Sequence, residues 1–268
     1  MNKKLLVVVL IGSLFIIGCR NNSASEDTRT ITKIEEPPHI DNNTVSNLSG
    51  ELSVNQGILN YSVPLNIPDG RAGIKPIISI NYNSNAGNGY VGQGWNIDAG
   101  QSIISRCGKN KLFDNKVEGI RYNHTDNICM DGERLKLISG TKWANNSQYR
   151  TKINTYSKIQ FIDNTFIVYT KTGEIKKYTK YKNKWFLSSI SDRFTNEITY
   201  IYNFDEMYYV DNGEEYLTQI NYLGNYIKFQ YETRKDNFNG YLNGQSINLS
   251  KRLKSIEIYQ GENNIRNY

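Results

Sequence analysis

The chain has 268 residues, enough for one large domain or two ordinary ones with a real core. Tyr, Asn, Gly and Ile are abundant while Ala, Leu and Met are scarce, a palette suited to pleated sheets and tight turns. The net charge of +6, from 32 basic and 26 acidic residues, falls to +4 without Lys3 and Lys4, too mild to mark nucleic acid as a partner.

Residues 1–19 open with Lys3 and Lys4, continue through an apolar run from Leu5 to Ile17, and end at Gly18-Cys19. The run falls short of the ~20 apolar residues that span a bilayer, so it reads as a signal peptide. Its ending resembles a bacterial lipobox, in which a small residue precedes a Cys that receives diacylglycerol and becomes the new N-terminus. The plainer alternative is a secretory leader with a chance cysteine. Lipidation at Cys19 implies export to the cell envelope, as an outer-membrane or cell-surface lipoprotein, or to the extracellular space. The membrane is then a partner through acyl chains alone, without a spanning segment. Residues 20–49 are polar, with Glu35-Glu36-Pro37-Pro38 at their centre. They cannot bury enough apolar surface to offset chain entropy and are predicted to form a disordered tether. His39 lies there without ligand-type neighbours.

Glu51 to Leu59 is predicted to be the first strand, with Gly57 marking a turn or bulge. Tyr61, Val63, Leu65 and Ile67 then alternate with polar residues, the period of a half-buried strand. Pro64 cannot donate to a ladder, so the strand is an edge or turns that side outward. Pro68-Asp69-Gly70 is a turn, and Ile78, Ile80 and Tyr82 resume the alternation. Gly87-Asn88-Gly89-Tyr90-Val91-Gly92 matches G-x-G-x-x-G, but a dinucleotide fingerprint needs a helix to follow. Here Gly94 and Trp95 follow, and no βαβ pattern surrounds them. The glycines read as close backbone approach at a sharp β-corner, with Trp95 packed on it.

These stretches resemble a known family. Tyr61-Ser62-Val63-Pro64-Leu65 comes first, followed by Pro68, Gly70, Arg71, Gly73 and Pro76. Ile80, Tyr82, Asn83 and Ser84 come next, then Gly87, Gly89, Gly92, Gly94 and Trp95. Together they are similar to the N-terminal domain of the Salmonella virulence plasmid B (SpvB) proteins, which also begins the B component of insecticidal Tc toxins. The match continues through Ile104-Ser105-Arg106-Cys107 and Ile128 to Leu135, and covers the chain from about Gly50 onward. The resemblance implies an all-β scaffold that forms part of a hollow shell around a passenger. Family members usually continue well beyond such a segment, so ending at Tyr268 in mid-strand reads as a truncated or split member. An unpaired last strand would offer a template to a further Rhs/Tc-type chain or downstream segment. The ADP-ribosyltransferase of SpvB-type proteins belongs to a separate domain, and its Glu-x-Glu pair has no counterpart here.

With Cys19 assigned to lipid, Cys107 and Cys129 remain. An even pair in an exported domain reads as a disulfide, closing a loop of about twenty residues worth roughly 3 kcal/mol. The competing reading is two buried free thiols. His124 lacks the partners for a tetrahedral zinc site. The Lys-Tyr run from Lys171 to Trp185 reads as exposed strands with solvated lysines guarding their edges.

Beyond residue 140 a degenerate repeat appears. Leu187 and Ile190 precede Ile198, Tyr200 and Tyr202. Leu217 and Ile220 precede Ile227, Phe229 and Tyr231. Leu253 and Ile256 precede Ile265 and Tyr268. Each set reads as a hairpin, and hairpins recurring at about thirty residues predict a repeating sheet that stacks on its neighbours. The stretch from Trp185 to Tyr202 resembles the Rhs or YD-repeat unit, with Thr195 where that unit's turn has Gly. The expected organisation is thus signal peptide 1–19, linker 20–49, SpvB-like β segment 50–140 and Rhs-like hairpins 141–268. No catalytic set, metal site or cofactor is expected: there is no G-x-S-x-G elbow, and Asp205-Glu206 and Glu214-Glu215 read as solvated turn charges. The leading function is a non-enzymatic scaffold of a toxin-like surface protein. The alternative is a surface-anchored adhesin using Tyr-rich strand faces for glycan or host ligand.

Overall fold

The computed structural model describes residues 48–205, 214–242 and 245–268. The signal peptide, Cys19, His39, nearly all of the tether and Glu206 lie outside the described residues.

Alternation sets the architecture at once. In the first sheet, β1 (Glu51–Asn55), β2 (Ile58–Pro64), β3 (Ser79–Asn83) and β4 (Trp95–Asp98) lie in that order, all antiparallel. The predicted first strand is therefore a hairpin that turns at Gln56-Gly57. Its register places Leu52 opposite Tyr61, Tyr61 opposite Tyr82 and Tyr82 opposite Trp95, so one face is apolar and the other carries Ser and Asn. β2 is an interior strand, and Pro64 is tolerated because β1 stops pairing at Ser62, leaving no partner on that side.

The next eight strands close on themselves. They are β5 (Ile103–Cys107), β6 (Asn127–Met130), β7 (Glu133–Ser139), β8 (Ser147–Thr151), β9 (Lys158–Ile162), β10 (Thr165–Tyr169), β11 (Ile175–Tyr181) and β12 (Lys184–Ser191). Each pairs antiparallel with the next, and β12 returns to β5 through Ile104 opposite Trp185. The interior is filled by side chains, as a barrel of eight strands requires. Phe161, Phe166 and Trp185 form its aromatic centre, with Phe161 and Phe166 ring centroids 4.6 Å apart. Trp143 stacks on Trp185 at 5.5 Å, and the Arg106 guanidinium covers its other side at 4.0 Å.

β12 belongs to two assemblies. Its first residues pair with β5, and Ser189–Ser191 pair on the same side with β13 (Glu197–Tyr202). At the handover the Leu187 N–H donates to the Ser102 carbonyl at 3.0 Å, and the Leu187 carbonyl accepts from the Tyr202 hydroxyl at 3.0 Å. From β13 an open antiparallel sheet continues through β14 (Leu217–Tyr222), β15 (Asn225–Leu242), β16 (Gln245–Gln260) and β17 (Asn263–Asn267). These are the three expected hairpins. They join edge to edge in one sheet, where the repeat pattern predicts stacking.

One hydrophobic core runs through barrel and open sheet, and Leu65, Ile67 and Ile78 of the first segment are part of it. The expected division at residue 140 falls in the turn between β7 and β8, inside the barrel. The Lys-rich strands over 175–191 also differ from expectation. Lys177 and Lys180 do face solvent, but β11 is paired on both sides, so there is no edge for them to guard.

Candidate functional site

The glycine corner hangs between β3 and β4. The Gly89 N–H donates to the Gly92 carbonyl at 3.1 Å, the Gly94 N–H to Gly87 at 3.0 Å, and the Trp95 N–H to Gly92 at 3.1 Å. These donors are consumed within the corner, and no helix follows to orient others toward a phosphate. Two positions require glycine. At Gly89 a Cβ would come within 2.5 Å of the Trp95 carbonyl oxygen. Gly94 sits at φ +76°, where a Cβ would strike the Tyr82 ring at 2.6 Å. Trp95 packs on Tyr82 with centroids 5.1 Å apart and edge-on to Tyr61 at 6.3 Å.

What the corner does is receive a latch from β15. Arg234 is 4% exposed, yet its guanidinium is fully occupied. It donates to the Gly89 carbonyl at 3.1 Å, to Asn88 Oδ1 at 2.6 Å, and through Nε and Nη2 to both oxygens of Asp236 at 3.0 Å. Asn88 in turn donates to Asp236 at 2.7 Å. Arg234 beside Asp236, helped by the Asn88 amide, holds that carboxyl well below the usual carboxylate range. On the other side of the corner, the Tyr90 carbonyl accepts from the Leu253 N–H at 2.7 Å, and its hydroxyl donates to the Glu215 carbonyl at 3.1 Å. Burial, with Glu214 nearby, pushes the Tyr90 phenol far up.

Glu214 and Glu215 overturn the expectation of solvated turn charges. Glu214 is 1% exposed, and its carboxylate accepts from the Ser250 and Lys251 N–H groups at 3.1 Å and from the Ser250 hydroxyl at 2.5 Å. Glu215 forms an ion pair with Lys184 of β12. Both tie the loop before β14 to its surroundings. Adjacent glutamates read as a solvated doublet because nothing local announces the β16 amides that one of them meets. Arg234 was likewise unmarked in the sequence: Asp236 lies two residues on, but the Asn88 and Gly89 oxygens that complete its set lie on a segment far upstream.

The other singled-out residues are structural. Pro68, Gly70, Arg71, Gly73 and Pro76 form a short turn with a single 3-10 turn at Arg71–Gly73, fixed by the Tyr222 hydroxyl donating to the Pro68 carbonyl at 3.1 Å. Cys107 of β5 and Cys129 of β6 are bonded to each other, with Cα atoms 5.9 Å apart. His124 is exposed, and among the described residues no three His, Cys, Asp or Glu side chains are grouped to hold a metal. One hydroxyl–carboxylate chain exists: Ser102 Oγ donates to Asp131 Oδ2 at 2.6 Å and meets the Tyr178 hydroxyl at 2.8 Å. Burial pushes Tyr178 up to about 12, so it stays protonated, and Asp131 also accepts from the Ile103 N–H at 2.8 Å. This chain fastens β5 to β11 and to the turn after β6.

Residues 53–162 match the family model described as Salmonella virulence plasmid 65kDa B protein. A comparison with curated proteins gives no match. Among solved structures, the fold is similar to TcdB2-TccC3, at 18% identity and TM-score 0.64, over 81% of this chain and 14% of that one. The Photorhabdus luminescens Tc holotoxin pore is similar at 18% identity and TM-score 0.59, over 82% and 14%. The N-terminal domain of effector protein SpvB from Salmonella typhimurium strain LT2 is similar at 15% identity and TM-score 0.57, over 74% of this chain and 87% of that one. The fold is all-β and shared with these structures, and the match to the family model lies in residues 53–162. The chain spans about a seventh of the Tc toxin chains that it matches, 14% of each.

Proposed function

We propose that this chain is a non-enzymatic β-scaffold portion of an exported toxin-type protein, with a shell or assembly role, tethered to a membrane by lipid on Cys19. The observation that carries the reading is the latch. The most conspicuous motif in the sequence and the buried cation that meets it are both engaged in joining two sheets. The fold shared with Tc toxin chains supports a scaffold role for the SpvB-like segment at 50–140 and the hairpins at 141–268. Among the described residues β17 pairs only with β16, so its outer edge is a template for a strand of a further Rhs/Tc-type chain or segment.

Cross-linking in the cells that make the chain is expected to capture a β-rich YD-repeat polypeptide, and capture of none overturns the assembly role. Purified chain is expected to leave NAD intact, and release of nicotinamide overturns the non-enzymatic reading. Cys19→Ser is expected to move the chain out of the membrane fraction, and unchanged partitioning rules out the lipid anchor.

A further inference from the structure

Between β5 and β6 the chain leaves the barrel over residues 108–126, and the Cys107–Cys129 bond staples the base of this excursion. A one-turn helix, α1 (Lys111–Asp114), sits in it, capped by Asn110 Oδ1, which accepts from the Phe113 N–H at 2.9 Å. The apolar residues around α1 point away from the protein: Leu112 and Val117 are each 81% exposed. Ile153, from the turn after β8, is 68% exposed and lines the same groove as Phe113, while Lys152 Nζ lies 3.4 Å from the Phe113 ring centroid. Phe113 and Ile153 thus bring the two loops together at one groove.

The excursion and the strands beside it carry Lys109, Lys111, Lys116, Arg121, Arg134 and Lys152, against the carboxylates Asp114, Glu118, Asp126 and Glu133, with Asp126 paired to Arg106 at 3.1 Å. Two of the carboxylates are turned inward. Glu118 binds Lys109, Lys116 and Arg121, and Asp114 binds Arg134, each carboxylate being only 17% exposed. Hydrogen bonds from Lys109 and Lys116 pull Glu118 down to about 2, so it stays ionised and its charge is spent locally. Lys116 and Arg121 remain 58% and 61% exposed. Exposed cations thus outnumber exposed carboxylates along the segment that carries exposed Leu112 and Val117.

Aliphatic side chains flanked by cations fit the boundary between headgroups and acyl chains of an anionic bilayer. A single-stranded nucleic acid would call for aromatic stacking platforms, which Leu112 and Val117 do not supply. We propose that this disulfide-stapled excursion docks on an anionic lipid surface. Leu112 and Val117 enter the interface, and Lys111, Lys116, Arg121 and Lys152 meet the headgroups. The contact is independent of any lipid on Cys19.

The test is co-sedimentation of the unacylated chain, produced from residue 20 onward so that it keeps the whole compact unit 47–268. The probes are phosphatidylcholine vesicles and vesicles enriched in phosphatidylglycerol. Binding is expected to the anionic vesicles only and to weaken with salt. Lys111→Ala with Lys116→Ala should weaken it by about twenty-five-fold, from about fivefold per cation. Leu112→Ser with Val117→Ser should also weaken it, with the melting transition unchanged because both side chains are exposed. No binding to anionic vesicles, equal binding to both compositions, or variants that bind like the parent would each overturn the proposal.

Discussion

Asp192 organises the turn between β12 and β13 by accepting from the Phe194 N–H at 2.7 Å and the Asn196 N–H at 2.9 Å, and the chain then passes through Thr195 at φ +66°. That is left-handed backbone, disfavoured for a β-branched residue and free for glycine. Thr195 therefore holds this turn at a cost of strain. Thr195→Gly is expected to raise stability by about 1 kcal/mol, read as a higher urea midpoint with unchanged slope. A lower midpoint would show that Thr195 contributes more than strain. The sequence registers this position as a departure but is silent on its backbone, because φ is imposed by the hairpin closing around it. Glu214 and Arg234 are the harder cases. A buried charge is visible only once its partners are known, and Ser250 and Gly89 reach them through tertiary folding.

The hairpins were legible at the level of elements because their signals are local. Period-two alternation and turn residues such as Asp192, Gly224 and Gly261 lie within a few residues of each other, and all three predicted hairpins form. The barrel was not legible. Its closure depends on Ile104 meeting Trp185, and no local pattern encodes a pairing between strands so far apart. The lysines of β11 show the same limit, since an outer barrel face and a guarded edge have the same alternation. The excursion over 108–126 depends on its staple in a testable way. Replacing Cys107 and Cys129 with Ser is expected to cost roughly 3 kcal/mol and to open the α1 loop to protease first. An unchanged urea midpoint would show that the strand pairing of β5 with β6 already fixes the loop.

The whole molecule is distinguished by tyrosines held inside it. Burial pushes the Tyr178 and Tyr222 phenols up to about 12 and raises Tyr90, Tyr200 and Tyr231 as well. In the unfolded chain a tyrosine gives up its proton near pH 10, roughly. The folded state keeps protons that the unfolded state has lost, so stability is full below that pH and falls as pH rises from about 10 through 12. Urea midpoints measured across that range should drop, and midpoints that stay level from pH 10 to pH 12 would contradict this. The strand shared by barrel and open sheet has a further consequence, in time. β5 has a neighbour on one side as soon as β6 is made, but its other side waits until β12 exists, and the β13–β14 pair meets the barrel only through that same strand. Local hairpins should form quickly while closure of the barrel waits on one long-range search. Refolding speed is then governed by a single seam, and changes at Ile104 or Trp185 should slow folding more than equal changes in the late hairpins.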